Sequence, residues 1–161
     1  MKKFIVAAST AVALSLAIQG AHAMGSGSSS PASGPTTAEL YEKAVKSVEA
    51  KEFRAAIESL NKVIEEKPKH ADALNYLGFS HRKLGDYAKA VSYYKRALSL
   101  EPAHKGANEY LGEAYVELGD LKSAGERLAA LDKICGMDCK EYKALKAAID
   151  AAKAKGAAKQ G

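Results

Sequence analysis

Two cysteines, Cys135 and Cys139, stand close together in the string CGMDC, and three histidines, His70, His81 and His104, are spread over the seventy residues before them. A close pair of thiols can be joined as a disulfide, can carry electrons as a dithiol, or can stay free. Thiol oxidoreductases use a Cys-x-x-Cys spacing, whereas three residues separate this pair, and the Cys-x-x-Cys-His needed to attach c-type haem is absent. All three states stay open, with the structural bridge the leading reading. Its loop is very short, so its stabilisation belongs at the low end of a range of about 0–5 kcal/mol. Gly136 would help the chain turn between the two sulfurs. The histidines do not read as a ligand set. His70 and His104 lie 34 residues apart, each two positions after a proline (Pro68 and Pro102), and this is the mark of a repeat. His81 reads as a packing residue. No group of His, Cys, Asp and Glu has the spacing of a metal site. There is no phosphate-binding glycine loop and no Gly-x-Ser-x-Gly turn, and the acidic residues are scattered. The chemistry-bearing residues therefore predict no enzyme, no cofactor and no metal.

The ends of the chain bear on where such a pair would work. Residues 1–23 begin with Lys2 and Lys3, continue through an apolar run from Phe4 to Ile18 and close on Ala21-His22-Ala23. These three zones predict a secretory signal peptide cleaved after Ala23. The run is 15 residues long, short of the roughly 20 that span a bilayer, and no later stretch could span one. The expected location is the periplasm, an oxidising compartment in which cysteines pair. Residues 24–36, which include GSGSSSPASGP, predict a flexible linker with too little apolar surface to fold. Without Lys2 and Lys3 the chain holds 22 basic and 19 acidic residues, a net +3. From Lys140 onward six lysines face Glu141 and Asp150, a net +4, which leaves the body near −1. The basic charge belongs to the tail, so no clustered basic face is available for nucleic acid.

Between linker and tail a period of 34 residues organises the sequence. Ala56, Ala90 and Ala124 keep it, as do Leu60, Tyr94 and Leu128, and Phe53, Tyr87 and Leu121. The apolar and small residues at 74, 77, 78, 81 and 84 have helical spacing and share one face. Gly78 and Ala90 are small where two antiparallel helices approach. Gly85 can end one helix with positive φ, Asp86 can cap the next, and Pro102 cannot continue it. Tyr142, Leu145, Ile149 and Ala152 form one further stripe, expected to cover the open side of the last pair.

The middle unit, ADALNYLGFSHRKLGDYAKAVSYYKRALSLEPAH, resembles the tetratricopeptide repeat family through Leu74, Leu77, Gly78, Gly85-Asp86-Tyr87, Ala90, Tyr94, Ala97 and Pro102. The third unit resembles it through Leu111, Gly112, Tyr115, Gly119-Asp120-Leu121, Ala124 and Leu128, without the closing proline. The first unit is more divergent and has Lys51-Glu52 where Gly-Asp is usual. The resemblance implies an all-α fold: a right-handed α-solenoid of three helix pairs, at 37–70, 71–104 and 105–138, with a capping helix at 139–154 and a disordered tail at 155–161.

The same resemblance implies a concave groove lined by the first helix of each pair. Tyr41, Val45 and Val48, then Asn75, Phe79 and Arg82, then Glu109, Glu113 and Val116 would face it, with Tyr76 and Tyr110 one step aside. Asn75 could hydrogen-bond the backbone of a bound peptide, and Tyr41 and Phe79 could anchor it. Some members clamp a peptide's terminal carboxylate; the matching places here hold Tyr41, Val45, Tyr76, Gly106 and Tyr110, so that clamp is not expected. The implied function is a periplasmic scaffold binding a protein or peptide. The alternatives are an accessory factor in cell-envelope assembly (cytochrome maturation, secretion or outer-membrane biogenesis) and a thiol-redox protein using Cys135 and Cys139.

Overall fold

The structure, a computed structural model, describes residues 34–158. The expected signal peptide, its cleavage site, most of the linker and residues 159–161 lie outside them. Seven helices follow in order: α1 (Thr37–Glu49), α2 (Phe53–Glu66), α3 (Ala71–Lys83), α4 (Tyr87–Leu100), α5 (Lys105–Glu117), α6 (Leu121–Cys135) and α7 (Lys140–Ala158). No strand occurs among the described residues, and no helix there is long and apolar enough to cross a membrane. The fold is three helix pairs and a capping helix, as expected. The cap is longer than expected, because α7 continues through 155–158, where a disordered tail was predicted.

Each helix packs on the next, and the first helices also touch one another, α1 on α3, α3 on α5 and α5 on α7. The chain thus forms two layers, α1, α3, α5 and α7 in one and α2, α4 and α6 in the other. The core runs between them. Leu40, Ala44, Ala56, Leu60 and Leu77 are buried at one end, and Ala124, Leu131, Leu145 and Ile149 at the other. Of the expected capping stripe, Leu145 and Ile149 are buried, while Tyr142 and Ala152 are half-buried.

The small residues are required by contact. A Cβ added to Gly78 would come within 2.6 Å of the Tyr94 ring, and one on Gly112 within 2.4 Å of Leu145. In the second pair Tyr94 fills the notch from within. In the third the shorter Leu128 stands in its place, and the notch is filled by Leu145 from the cap.

The turns inside the pairs repeat one geometry. The backbone N–H of Asp86 donates to the carbonyl of His81, that of Asp120 to Tyr115, and that of Glu52 to Ser47. Such a turn needs one left-handed residue. Gly85 and Gly119 supply it at φ +82 and +78, and Lys51 supplies it at +62 in the first pair. Asp86 and Asp120 then cap α4 and α6 by accepting from Lys89 and Ser123 N–H at 3.2 and 3.0 Å. Glu52 makes no such bond. Between the pairs the caps are histidines: His70 Nδ1 accepts from Ala73 N–H and His104 Nδ1 from Ala107 N–H. At the first helix Thr36 and Glu39 form a reciprocal capping box.

Candidate functional site

The side chains expected to line the groove meet one another along the α1–α3–α5 layer. Tyr41 of α1 lies against Tyr76 of α3, ring centroids 6.1 Å apart, and against His70 at 4.7 Å. Phe79 of α3 lies against Tyr110 of α5 at 5.0 Å and, behind it, against Phe53 of α2 at 6.1 Å. Aromatic residues thus run from α1 to α5 at helical spacing. All five, together with Val45, Val48 and Val116, are half-buried. Tyr41, Val48 and Tyr76 pack against the first core cluster, and Val116 against the last. Burial, with the negative charge of Asp72 second, raises the Tyr41 and Tyr76 hydroxyls above their ordinary pKa.

Charge sits beside the rings. The Arg82 guanidinium lies 5.6 Å from the centroids of both Phe79 and Tyr110, a geometry favourable to a cation on aromatic faces. Its Nη2 donates to Glu113 Oε2 at 2.6 Å across α3 and α5. Lys83 Nζ stands 5.1 Å over Phe79. Glu109 is half-buried and has no ion pair among the described residues. Burial, then the charges of Glu113 and Glu141, push its carboxyl up to about 7.

Asn75 is more deeply placed than a groove residue that greets a peptide. It is buried, 6% exposed, and its Oδ1 has no hydrogen-bond partner. One repeat on, its counterpart is Glu109, and the residue before that, Asn108, is also buried. Asn108 donates to the carbonyls of Pro102 and His104 and accepts from Arg127.

Other residues here escaped the sequence reading. His104 Nε2 lies 3.1 Å from Asp72 Oδ1, which ties the cap of α5 to the start of α3. Glu141 is buried on the first turn of α7. Its position two residues after the second cysteine, at a helix start, was the available signal. His81 packs as expected, its ring stacked on Tyr93 at 5.4 Å, and burial lowers its pKa.

Cys135 and Cys139 are at disulfide distance, with Cα atoms 5.9 Å apart. Cys135 is the last residue of α6, Gly136 turns the chain at φ +76, and Cys139 precedes α7. The Glu141 carboxylate lies within 4.8 Å of both sulfurs. With the sulfurs joined to each other, neither is a thiolate ligand for a metal. The pair reads as a staple between the last repeat and its cap.

Family profiles for the tetratricopeptide repeat match residues 41–97 and 81–149. The chain belongs to the tetratricopeptide repeat family. Solved tetratricopeptide structures share its fold. The Sgt2 domain from Aspergillus fumigatus is 22% identical with a TM-score of 0.68, covering 79% of this chain and 83% of that one. The first tetratricopeptide domain of Spaghetti (RPAP3), bound to an HSP90 peptide, is 20% identical with a TM-score of 0.67, covering 73% and 93%. The Yersinia enterocolitica type III secretion chaperone SycD, in complex with a peptide of the translocator YopD, is 17% identical with a TM-score of 0.66, covering 76% and 96%. A search of curated protein sequences finds no match. At these identities the structures speak for the fold, and tetratricopeptide domains of this size are seen holding peptides.

Proposed function

We propose that this tetratricopeptide protein is a non-enzymatic periplasmic scaffold that holds a segment of a partner protein against the α1–α3–α5 face. The observation that carries the reading is the half-buried aromatic line of Tyr41, Tyr76, Phe79 and Tyr110 beside the Arg82–Glu113 pair. Aromatic side chains and arginine dominate binding energy where they can be fully covered. Here they stand half-covered on the layer of first helices. Two structural relatives carry bound peptides, which supports protein segments as the ligand class.

Export rests on the predicted signal peptide. Its test is the mass of the mature protein recovered from a periplasmic fraction. A chain beginning at Met24 supports the location, and an intact Met1 in the cytoplasmic fraction contradicts it.

The binding role is tested by crosslinking and affinity capture in the periplasm, wild type against a Tyr41→Ala/Phe79→Ala double variant shown to remain folded. A partner held by wild type and lost with the variant supports the reading. That partner would also decide whether the process is envelope assembly. The thiol-redox alternative requires turnover of a disulfide substrate that Cys135→Ser abolishes.

A further inference from the structure

Glu141 carries a carboxylate on the first turn of α7 and yet is only 7% exposed. Such burial is costly unless a cation or donors offset it. The ion pair it makes is a long one: Lys140 Nζ stands 3.8 Å from Oε1, on a side chain that is 89% exposed and screened by water. Sulfur lies on its other side. One carboxylate oxygen and the sulfurs of Cys135 and Cys139 all fall within 4.8 Å of one another. The helices fix this meeting. Cys135 ends α6, Cys139 stands just before α7, and Gly136 at φ +76 turns the short link between them.

While the sulfurs are joined, the bridge itself staples the cap to the last repeat. A dithiol opens it by exchange. Two electrons and two protons pass to Cys135 and Cys139, which become thiols, and the dithiol leaves as its own disulfide. Two thiols and a buried carboxylate then stand together at the α6–α7 junction. Two thiolates and one carboxylate suit a divalent cation of the zinc class, bound with release of the two thiol protons. Zinc–sulfur bonds of about 2.3 Å at a tetrahedral angle put two sulfurs roughly 3.8 Å apart. The Cα atoms of the pair are 5.9 Å apart, so turning the side chains reaches that spacing with both helices in place. Met137 and Asp138 in the link are exposed, which leaves a fourth position to water.

We propose that the dithiol form of Cys135 and Cys139, together with Glu141, is a three-ligand zinc site that holds the α7 cap on the last repeat when the disulfide is open. The metal then replaces the covalent bridge, and Leu145 stays seated over Gly112 in both states. Glu141 sets the metal class. Cu(I) is satisfied by soft thiolates alone, whereas a divalent cation gains from a third, anionic oxygen ligand. The site lies at the α6–α7 junction and does not depend on what the α1–α3–α5 face binds.

The test uses the full chain, reduced with dithiothreitol, freed of it without oxygen and titrated with Zn²⁺ against a chromophoric chelator. The expected result is one zinc per reduced chain, with no such binding by the oxidised chain or by a Cys135→Ser/Cys139→Ser variant. Glu141→Gln should weaken binding about a hundredfold, the upper end of what loss of even an outer-shell partner costs. Oxidised Glu141→Gln with the helicity of wild type separates this from misfolding. X-ray absorption of the zinc in wild type needs no variant, and two sulfur neighbours at about 2.3 Å with oxygen in the remaining places are expected. Hydrogen exchange in α7 should quicken on reduction and slow again with zinc. Three results would each overturn the proposal: reduced wild type binding no better than the double serine variant, Glu141→Gln binding as wild type does, or zinc held by four sulfurs from two chains. Zinc that binds as expected but leaves α7 exchange fast would overturn its role as the staple.

Discussion

Arg82 and Glu113 are joined at 2.6 Å across the α3–α5 boundary, with the guanidinium 5.6 Å from the centroids of both the Phe79 and Tyr110 rings. The side chains are 10% and 22% exposed, and Arg82 Nε has no partner of its own. The pair ties the second repeat to the third through the layer that presents the aromatic line. Its geometry makes it part of the site's frame.

Glu113→Ala leaves the guanidinium buried and unpaired, and the expected cost is about 2 kcal/mol. Adding Arg82→Met to that variant removes the stranded charge and keeps the aliphatic packing, so part of the loss is recovered. Urea unfolding of the two single variants and the double variant gives the coupling. Simple additivity would mean that the pair holds nothing together.

Lys51 is the one non-glycine residue at positive φ among the described residues, and Glu52 behind it leaves α2 without a side-chain cap. The other two pairs solve the same turn with Gly85-Asp86 and Gly119-Asp120. Lys51→Gly relieves a strain of about 1 kcal/mol, and Glu52→Asp adds a cap of about 1 kcal/mol. The double variant is therefore expected to be more stable than wild type in thermal unfolding. No gain would contradict this account of the turn.

Gly78 and Gly112 occupy equivalent places, but different partners fill the space above them. Gly78→Ala meets the buried Tyr94 ring and is expected to cost about 1–3 kcal/mol, a cost that Tyr94→Leu should reduce. Gly112→Ala meets Leu145 on the cap, so the expected loss is specific to α7. Hydrogen exchange should show faster exchange in α7 with α1 to α4 unchanged. Uniform acceleration would mean that the cap and the first repeats open as one.

These contrasts show what was legible in the sequence. The spacing of Ala56, Ala90 and Ala124, and the pairing of glycine with aspartate at the second and third turns, locate the helix pairs because packing and capping are local and repeat with the chain. The exchange of Leu145 for Tyr94 at the third notch was not legible. It is a contact between elements that the 34-residue period does not relate. Histidine capping was also missed, because an imidazole accepts a backbone N–H only in one tautomer and one loop geometry, and composition reports neither. Asn75 and Glu141 look like surface residues in the sequence, and neighbouring helices bury them.

Glu109 should make stability depend on pH. Its carboxyl is raised from an ordinary value of 4.5 to about 7, so the folded protein favours its neutral form. That contribution is fully present below the ordinary value and is lost as pH rises through about 7. Glu109→Gln keeps a neutral side chain at every pH. It is expected to match wild type at acid pH and to exceed it above neutrality. The excess should be about 1 kcal/mol, discounted for the half-exposed position. Chemical unfolding at the two pH values checks this, and an equal difference at both would contradict it.

The most direct test of the binding face uses a photo-crosslinking amino acid at two exposed positions, Lys83 beside Phe79 on α3 and Lys95 on α4 in the opposite layer. With the full chain expressed in living cells and irradiated, a partner crosslinked from position 83 and not from 95 is the predicted result. Crosslinks from 95 alone, or equally from both, would contradict the claim that the α1–α3–α5 face holds the partner.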